Sequence, residues 1–280
     1  MKEKLLNFKR SLIHAVFEGA ELEGLGLTLS KTSDILKQYN KSKNIYSWNQ
    51  IEDVNGVFTA YQYVIDIIQK QKELGLNEYK EINRLVDEYE EHSNAGHWRK
   101  ELKFIGGTKY VPPILNGHEY VEIFEKELRD ISSFNDVVIM FAKLCKAQCF
   151  PDGNKRTNLI FANALCLKFN YKIIRIINHV SFARKLVDYY NDDINLDKFI
   201  RYVNETSNLD FKEYKQSVTV GQTIQSLMEY YGINESELAR IIGVDRSYVN
   251  RIISGERKPS IKIAKAIAEA LHIKWDTLFQ

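Results

Sequence analysis

Proline is scarce in this chain, and its placement limits what the chain can fold into. Of four prolines in 280 residues, Pro112, Pro113 and Pro151 fall within one 40-residue window, and the fourth is Pro259. Proline breaks helices because it lacks the backbone N–H and its ring clashes with the preceding turn. The long stretches without it are rich in Leu, Ile, Lys and Glu, which favour helix. Apolar residues recur there at helical spacing: Val57, Ala60, Val64, Ile67 and Ile68 within 51–74, then Tyr79, Ile82, Leu85 and Val86 within 76–89. Segments 121–131, 136–149, 155–169 and 194–202 repeat the pattern. The expected fold class is mainly α. With 44% hydrophobic and 27% charged residues, a disordered or fibrous chain is excluded.

The 39 Lys and Arg against 37 Asp and Glu leave a formal charge of +2. Any nucleic-acid contact must therefore come from a local patch. Cys145, Cys149 and Cys166 are too few for a disulfide framework and point to a reducing compartment. The opening Met-Lys-Glu-Lys has no apolar run of the secretory kind. No apolar stretch approaches the roughly 18–20 residues of a membrane span. The expectation is a cytoplasmic protein with no membrane partner.

One segment departs from helical spacing. Leu102-Lys103-Phe104-Ile105 and Thr108-Lys109-Tyr110-Val111 flank Gly106-Gly107. Gly-Gly supports the positive φ of a tight turn, so two short strands are predicted here, ended by Pro112-Pro113. A polar, weakly periodic stretch at 207–220 reads as a linker. It separates an N-terminal helical extension (1–50) and a main domain (51–206) from a small domain (221–280).

The small domain reads as short helices. Thr223–Tyr231 is the first. Asn234 and Glu237 form a capping-box pattern at the start of the next. Gly243 closes it, and Asp245 is placed to cap a helix over Arg246–Ser254. Ser260 begins another, with Ile261, Ala264, Ile267, Ala268 and Leu271 on its apolar face. Between Arg246 and Lys265 lie six basic residues and one acidic residue, Glu256, a local net of +5.

The densest chemistry is Gln148-Cys149-Phe150-Pro151-Asp152-Gly153-Asn154-Lys155-Arg156-Thr157. A glycine and an asparagine at a helix start leave backbone N–H groups pointing outward, and the helix dipole adds to their pull on anions. Asp152 is placed to hold a divalent cation, and Arg156 to neutralise phosphate oxygens. An Asp-Gly-Asn turn capping an ordinary helix gives the same pattern.

Two resemblances sharpen this reading. The small domain resembles the Cro/C1-type (XRE, lambda-repressor-like) helix-turn-helix family through Leu238-Ala239-Arg240, Gly243-Val244-Asp245, Val249-Asn250-Arg251-Ile252 and Gly255-Glu256-Arg257-Lys258-Pro259-Ser260. It implies a five-helix fold with Arg246–Ser254 as the recognition helix. DNA-binding residues would be Arg246, Ser247, Tyr248, Asn250, Arg251, Arg257 and Lys258, in a homodimer. The main domain resembles the Fic (filamentation induced by cAMP)/Doc family, whose core motif is His-x-Phe-x-Asp-Gly-Asn-x-Arg. Ala95-Gly96-His97-Trp98-Arg99 and the Gly-Gly segment also fit that family.

The Fic resemblance implies a helical bundle with a β-hairpin flap. It implies transfer of AMP or a related group from a nucleotide to a protein hydroxyl. The cofactor would be ATP or another nucleotide with Mg²⁺, held by Asp152. Gly153, Asn154, Lys155 and Arg156 would bind the nucleotide. Ile105, Gly106, Gly107, Thr108, Lys109 and Tyr110 would form the flap that lines up a protein target. Glu18 stands where some members carry an inhibitory glutamate. Two positions depart. The family's catalytic histidine falls at Gln148, which cannot accept a proton near neutral pH, and a second arginine falls at Leu159. General-base catalysis is worth ~10²–10⁴ in rate. The expectation is a nucleotide-binding regulator fused to a DNA-binding module, with transfer weak or lost. An active protein adenylyltransferase of toxin–antitoxin type, controlled by its own helix-turn-helix domain, is the alternative.

Overall fold

The computed structural model describes residues 2–37, 46–87, 94–209, 220, 221, 224, 228, 233–254 and 256–271. They divide into two compact units, 1–179 with 185–208, and 180–184 with 209–280. Both are helical, as the proline pattern requires.

The larger unit begins with α1 (Lys2–Arg10), α2 (Leu12–Ala20), a single 3₁₀ turn (Glu21–Glu23) and α3 (Leu29–Lys37). Next come α4 (Trp48–Gln69), α5 (Leu76–Val86), α6 (Gly117–Arg129), α7 (Phe134–Ala147) and α8 (Asn154–Lys168). Helix α9 (His179–Asn191), of which 180–184 group with the smaller unit, and α10 (Leu196–Thr206) complete the series. Polar caps set the starts. Ser47 and Gln50 close a capping box on α4, Asn116 and Glu119 close one on α6, and Ser133 accepts from the Asp136 N–H on α7.

Helix α8 is buried on every face from Arg156 to Leu167. A helix surrounded in this way is the axis of its domain. It packs on α7, α4, α5 and α2. Its buried polar side chains are paired, as burial demands. Asn158 accepts from the Tyr79 hydroxyl at 2.7 Å. Asn163 donates to Tyr61 Oη at 3.2 Å and to Ile174 O at 3.3 Å, and accepts from Ile174 N at 2.8 Å. These bonds fix how the axis is rotated, and so where its N-terminus opens.

The two predicted strands around Gly106-Gly107 do not form: no strand occurs among the described residues. The glycines make a turn, with Gly107 at φ 78°, but the flanking segments are irregular. An isolated two-stranded hairpin is marginal in water, and these flanks bond elsewhere. Lys103 donates to Pro151 O, and Thr108 donates to Asn191 Oδ1. Phe104, between them, is 75% exposed.

In the smaller unit, α11 (Glu235–Ile242), α12 (Arg246–Ile253) and α13 (Ile261–Ala270) start at the positions read from sequence. Asn234 and Glu237 exchange both capping-box bonds at 3.0 Å, and Gly243 is left-handed. Asp245 sits at the N-cap of α12 but makes no side-chain cap bond. Ile224, Met228, Leu238, Val249, Ile252, Ala264 and Ile267 share one core. Gly221 allows a close backbone approach there, since a Cβ would lie 2.2 Å from Ile253 O. Most of Thr223–Tyr231, most of the linker and 272–280 lie outside the described residues.

Replacing Asn163 by Ala strands the Ile174 N–H inside the larger unit. We expect this unit to lose about 1–3 kcal/mol, read as a lower urea midpoint at unchanged far-UV signal. A midpoint equal to wild type contradicts the role given to Asn163.

Candidate functional site

The residues singled out in the larger unit meet where α7 ends and α8 begins. Gln148 is the C-cap of α7, left-handed at φ 48° and ψ 59°, and 6% exposed. Glycine or asparagine usually takes that conformation. Here glutamine is held in it by three bonds. Its N–H donates to Leu144 O at 3.2 Å, its side-chain amide donates to Cys145 O at 2.7 Å, and its carbonyl accepts from Arg99 Nε at 2.8 Å. The Gln148 side chain is thus engaged as a helix cap.

Arg99 anchors the loop that leads from Gln148 to α8. It is 2% exposed, and its guanidinium donates to the carbonyls of Gln148, Glu101, Pro112 and Pro113. Its own N–H donates to Cys149 O at 2.9 Å. One side chain therefore ties the loop to both ends of the Gly-Gly segment. Asn83, on α5, holds the other side. It donates to Asp152 O and Thr157 Oγ1 and accepts from Gly96 N. Sequence reading gave Asn83 no role and Arg99 only a place in a motif. Asn154 closes the loop on itself by accepting from Phe150 N and donating to Phe150 O, at 2.9 and 2.7 Å. Its side chain is structural, and only its backbone N–H remains for an anion.

Gly153 turns the chain into α8 at φ 70°, where a Cβ would meet Asn83 and Val86 at 3.2 Å. It offers no side chain to cap the helix. The first N–H groups of α8, which no helix satisfies internally, thus face the loop. Beside them lies a cavity of about 290 Å³ lined by Glu23, Leu25, Asn49, Glu52, Asp53, Val86, Asp87, Asp152 and Arg156. Arg156 is held there by Asp53, and Glu23 stands 3.3 Å from its Nε. That Nε nonetheless lacks an aligned hydrogen bond; proximity to Glu23 supplies charge but not geometry. Burial lowers the Arg156 pKa, with Glu23 opposing the shift. Lys155 reaches the same 3₁₀ turn, donating to Leu22 O at 2.6 Å.

That turn also carries Glu21, whose carboxyl burial pushes up to about 7, against a bond from the Leu27 N–H. His179 lies 3.6 Å from it, and its pKa is driven down to about 4 by burial and then by the charge on Lys155. Both shifts favour the neutral forms, so proximity here does not make an ion pair.

Asp152, the expected Mg²⁺ ligand, is met instead by Lys103, whose Nζ lies 3.2 Å from its Oδ1. No cluster of three or more His, Cys, Asp or Glu among the described residues is arranged to hold a metal. The residues present do not fit a divalent ion at Asp152 while Lys103 holds it. Leu159 is 1% exposed in the core and brings no charge to the loop. Glu18 pairs with Arg175 at 2.6 Å and accepts from the Ile176 N–H, and is not among the residues lining the cavity. Burial raises its pKa, with Arg175 opposing. Cys145 and Cys149 are free and buried, their thiols pushed up to about 12 by burial. Of the flap residues, Ile105 to Tyr110 form the irregular turn around Gly107.

In the smaller unit, Val249 and Ile252 turn inward from α12. Arg246, 70% exposed, and Asn250 share one partner. Arg246 Nε donates to Glu235 Oε2 at 3.1 Å, and Asn250 Nδ2 donates to Glu235 Oε1 at 3.3 Å. Arg257 stacks over the Tyr248 ring at 4.4 Å. Ser247, Arg251 and Lys258 are exposed.

The Fic/DOC family model matches residues 73–166, and a helix-turn-helix model matches 224–278. The chain carries a Fic/DOC domain followed by a helix-turn-helix domain. Solved structures agree on the fold. Fic-1 from C. elegans superposes with a TM-score of 0.61 at 20% identity, over 78% of this chain and 66% of that one. A Fic-domain signalling protein from Bacteroides thetaiotaomicron gives 0.58 at 14% identity, over 84% and 92%. A Fic family protein from Desulfovibrio desulfuricans gives 0.57 at 12%, over 89% and 84%. This chain thus spans just under two thirds of the C. elegans structure. A search among curated proteins gave no match. Within the Fic domain, Arg99 and Asn83 hold the motif loop from opposite sides.

Arg99→Met removes the donor to four carbonyls, of which those of Gln148 and Pro112 are buried. Two buried carbonyls left unsatisfied should cost the larger unit roughly 2–6 kcal/mol, seen in chemical denaturation. The exchange of Cys149–Arg156 amides should accelerate more than that of α10. Uniform acceleration throughout would show that Arg99 is only general packing.

Proposed function

We propose that this chain is a sequence-specific DNA-binding regulator whose Fic domain binds a nucleotide phosphate but transfers it weakly or not at all. The observation that carries the second half is Gln148. A base at this position must face the attacking hydroxyl, whereas the Gln148 amide donates to Cys145 O and has no basicity to offer. The phosphate grip is retained in the left-handed Gly153, the start of α8 and Arg156. A nucleotide would exchange with Glu23 and Asp53 for the Arg156 guanidinium, which keeps its charge in either state. The adenylyltransferase alternative has no replacement base among these contacts. A protein target at the Gly-Gly segment, homodimer formation and a cytoplasmic location belong to the same proposal. The described helices include none long and apolar enough to cross a membrane.

The DNA-reading half rests on α12. Its outward face presents Arg246, Ser247, Asn250 and Arg251 in the first two turns, and major-groove readers use the start of their second helix in this way. Arginine pairs with guanine and asparagine with adenine. Glu235 holds Arg246 and Asn250 side by side before any DNA arrives.

In a gel-shift series with the full chain, affinity should fall with salt at a log–log slope near −0.9 per phosphate neutralised. Arg246→Ala and Asn250→Ala should each lose about 1–3 kcal/mol of discrimination between sequences. Lys262→Ala should weaken all sequences alike. Absence of any shift at low salt sinks the DNA reading.

Gln148→His restores a proton acceptor to the loop. Labelling of extract proteins from radiolabelled ATP should rise by roughly 10² over wild type and vanish again in the double variant with Arg156→Ala. Strong labelling by the wild-type chain itself contradicts the proposal.

A further inference from the structure

Lys103 comes from the Gly-Gly segment, far from the loop in sequence, yet its ammonium sits on the loop. It donates to Pro151 O at 2.7 Å and to Asp152 Oδ1 at 3.2 Å. Both acceptors immediately precede Gly153 and the open start of α8. The Lys103 and Asp152 side chains are 34% and 47% exposed, so a ligand in the loop can reach them.

We propose that Lys103 is the resident cation of this phosphate site, so that nucleotide binding here does not depend on a divalent metal. The inference rests on the proposed nucleotide binding and concerns how that site neutralises charge. An ammonium carries three N–H donors, and two are accounted for by Pro151 and Asp152. The third is left for a phosphate oxygen, which lysine binds well as a point charge. Mg²⁺ takes oxygen ligands at about 2.0–2.1 Å in near-octahedral array, and here one of them would have to be an Asp152 oxygen. An ion at that distance from Asp152 Oδ1 would crowd an ammonium 3.2 Å from the same oxygen. One of the two cations must leave, and Lys103 is covalently tethered and held by a second acceptor.

Arg99 is what keeps the tether short. Its bonds to Glu101 O on one side and to Pro112 O and Pro113 O on the other fix both ends of the segment that carries Lys103. Arg156, in the adjoining cavity wall, is already matched by Asp53 and Glu23, so Lys103 is the cation of this loop with a donor to spare. The site is thus an anion cradle made of a helix start and the one ammonium held beside it.

The test is calorimetry of ADP, ATP and pyrophosphate with the full chain, each in EDTA and in Mg²⁺, for wild type, Lys103→Met and Lys103→Arg. Wild type should bind with equal affinity in both buffers. Lys103→Met should lose about tenfold or more in EDTA and recover part of it in Mg²⁺, because Asp152 is then free for the ion. Lys103→Arg should stay within a few-fold of wild type, which shows that the loss follows charge and not folding. Wild-type binding that requires Mg²⁺, or a Lys103→Met variant that binds normally in EDTA, overturns the Lys103 proposal and leaves the nucleotide reading standing. No binding by wild type in either buffer overturns both.

Discussion

One buried guanidinium underlies the architecture of the site. Arg99 is fully sequestered, yet the acceptors of its guanidinium bonds are backbone carbonyls: Gln148, Glu101, Pro112 and Pro113. A charge taken out of water needs several charge-assisted bonds to be tolerated. Carbonyls supply them only if the chain segments that carry them are brought to one point. Arg99 therefore dictates that the end of α7, the base of the Gly-Gly segment and the Pro-Pro step converge. The other features of the loop depend on that convergence. Gln148 can be left-handed because its carbonyl has Arg99 to bond. Lys103 can reach Asp152 because its segment is anchored at both ends.

The charge balance of the cavity decides what the loop can do next. Five of its lining residues are acidic and one is basic. At first sight that opposes phosphate binding. Arg156, however, is already matched to Asp53 and Glu23, so its pull is masked rather than missing. A carboxylate and a phosphate compete for the same guanidinium, and removing one partner from a buried pair without replacement costs about 3–5 kcal/mol. Only an anion that replaces the carboxylate at Arg156 can enter cheaply. Under the proposed function, that anion is a nucleotide phosphate.

Much of the fold was legible in the sequence because helices and caps are local. The spacing of Val57, Val64 and Ile68, the Asn234/Glu237 box and Gly243 each carried its structure within a few residues. The strands were misread because Gly-Gly specifies a turn but not a ladder; the bonds of Lys103 and Thr108 go to residues roughly 50 and 80 positions away. Helix α9 was missed, although Phe182, Leu186, Tyr189 and Tyr190 hold helical spacing. Asn83 and Arg99 could not be read as clamps, since a clamp is defined by partners that only the tertiary fold supplies. Likewise Glu18 proved to be the partner of Arg175, a pairing 157 positions apart with no local signature. The motif itself identified the loop, but not that the protein's own carboxylates and carbonyls already occupy Lys155 and Arg156.

The central claim is that the loop grips phosphate while the position that should accept a proton is engaged as a helix cap. Hydrogen–deuterium exchange of the full chain in the presence of ATP and a cell extract reports both halves at once. The account predicts slower exchange in Phe150–Thr157, little change in α10, and peptide masses unaltered by any nucleotidyl group. Unchanged exchange in that loop, or a nucleotidyl adduct formed at high yield by the wild-type chain, would contradict it.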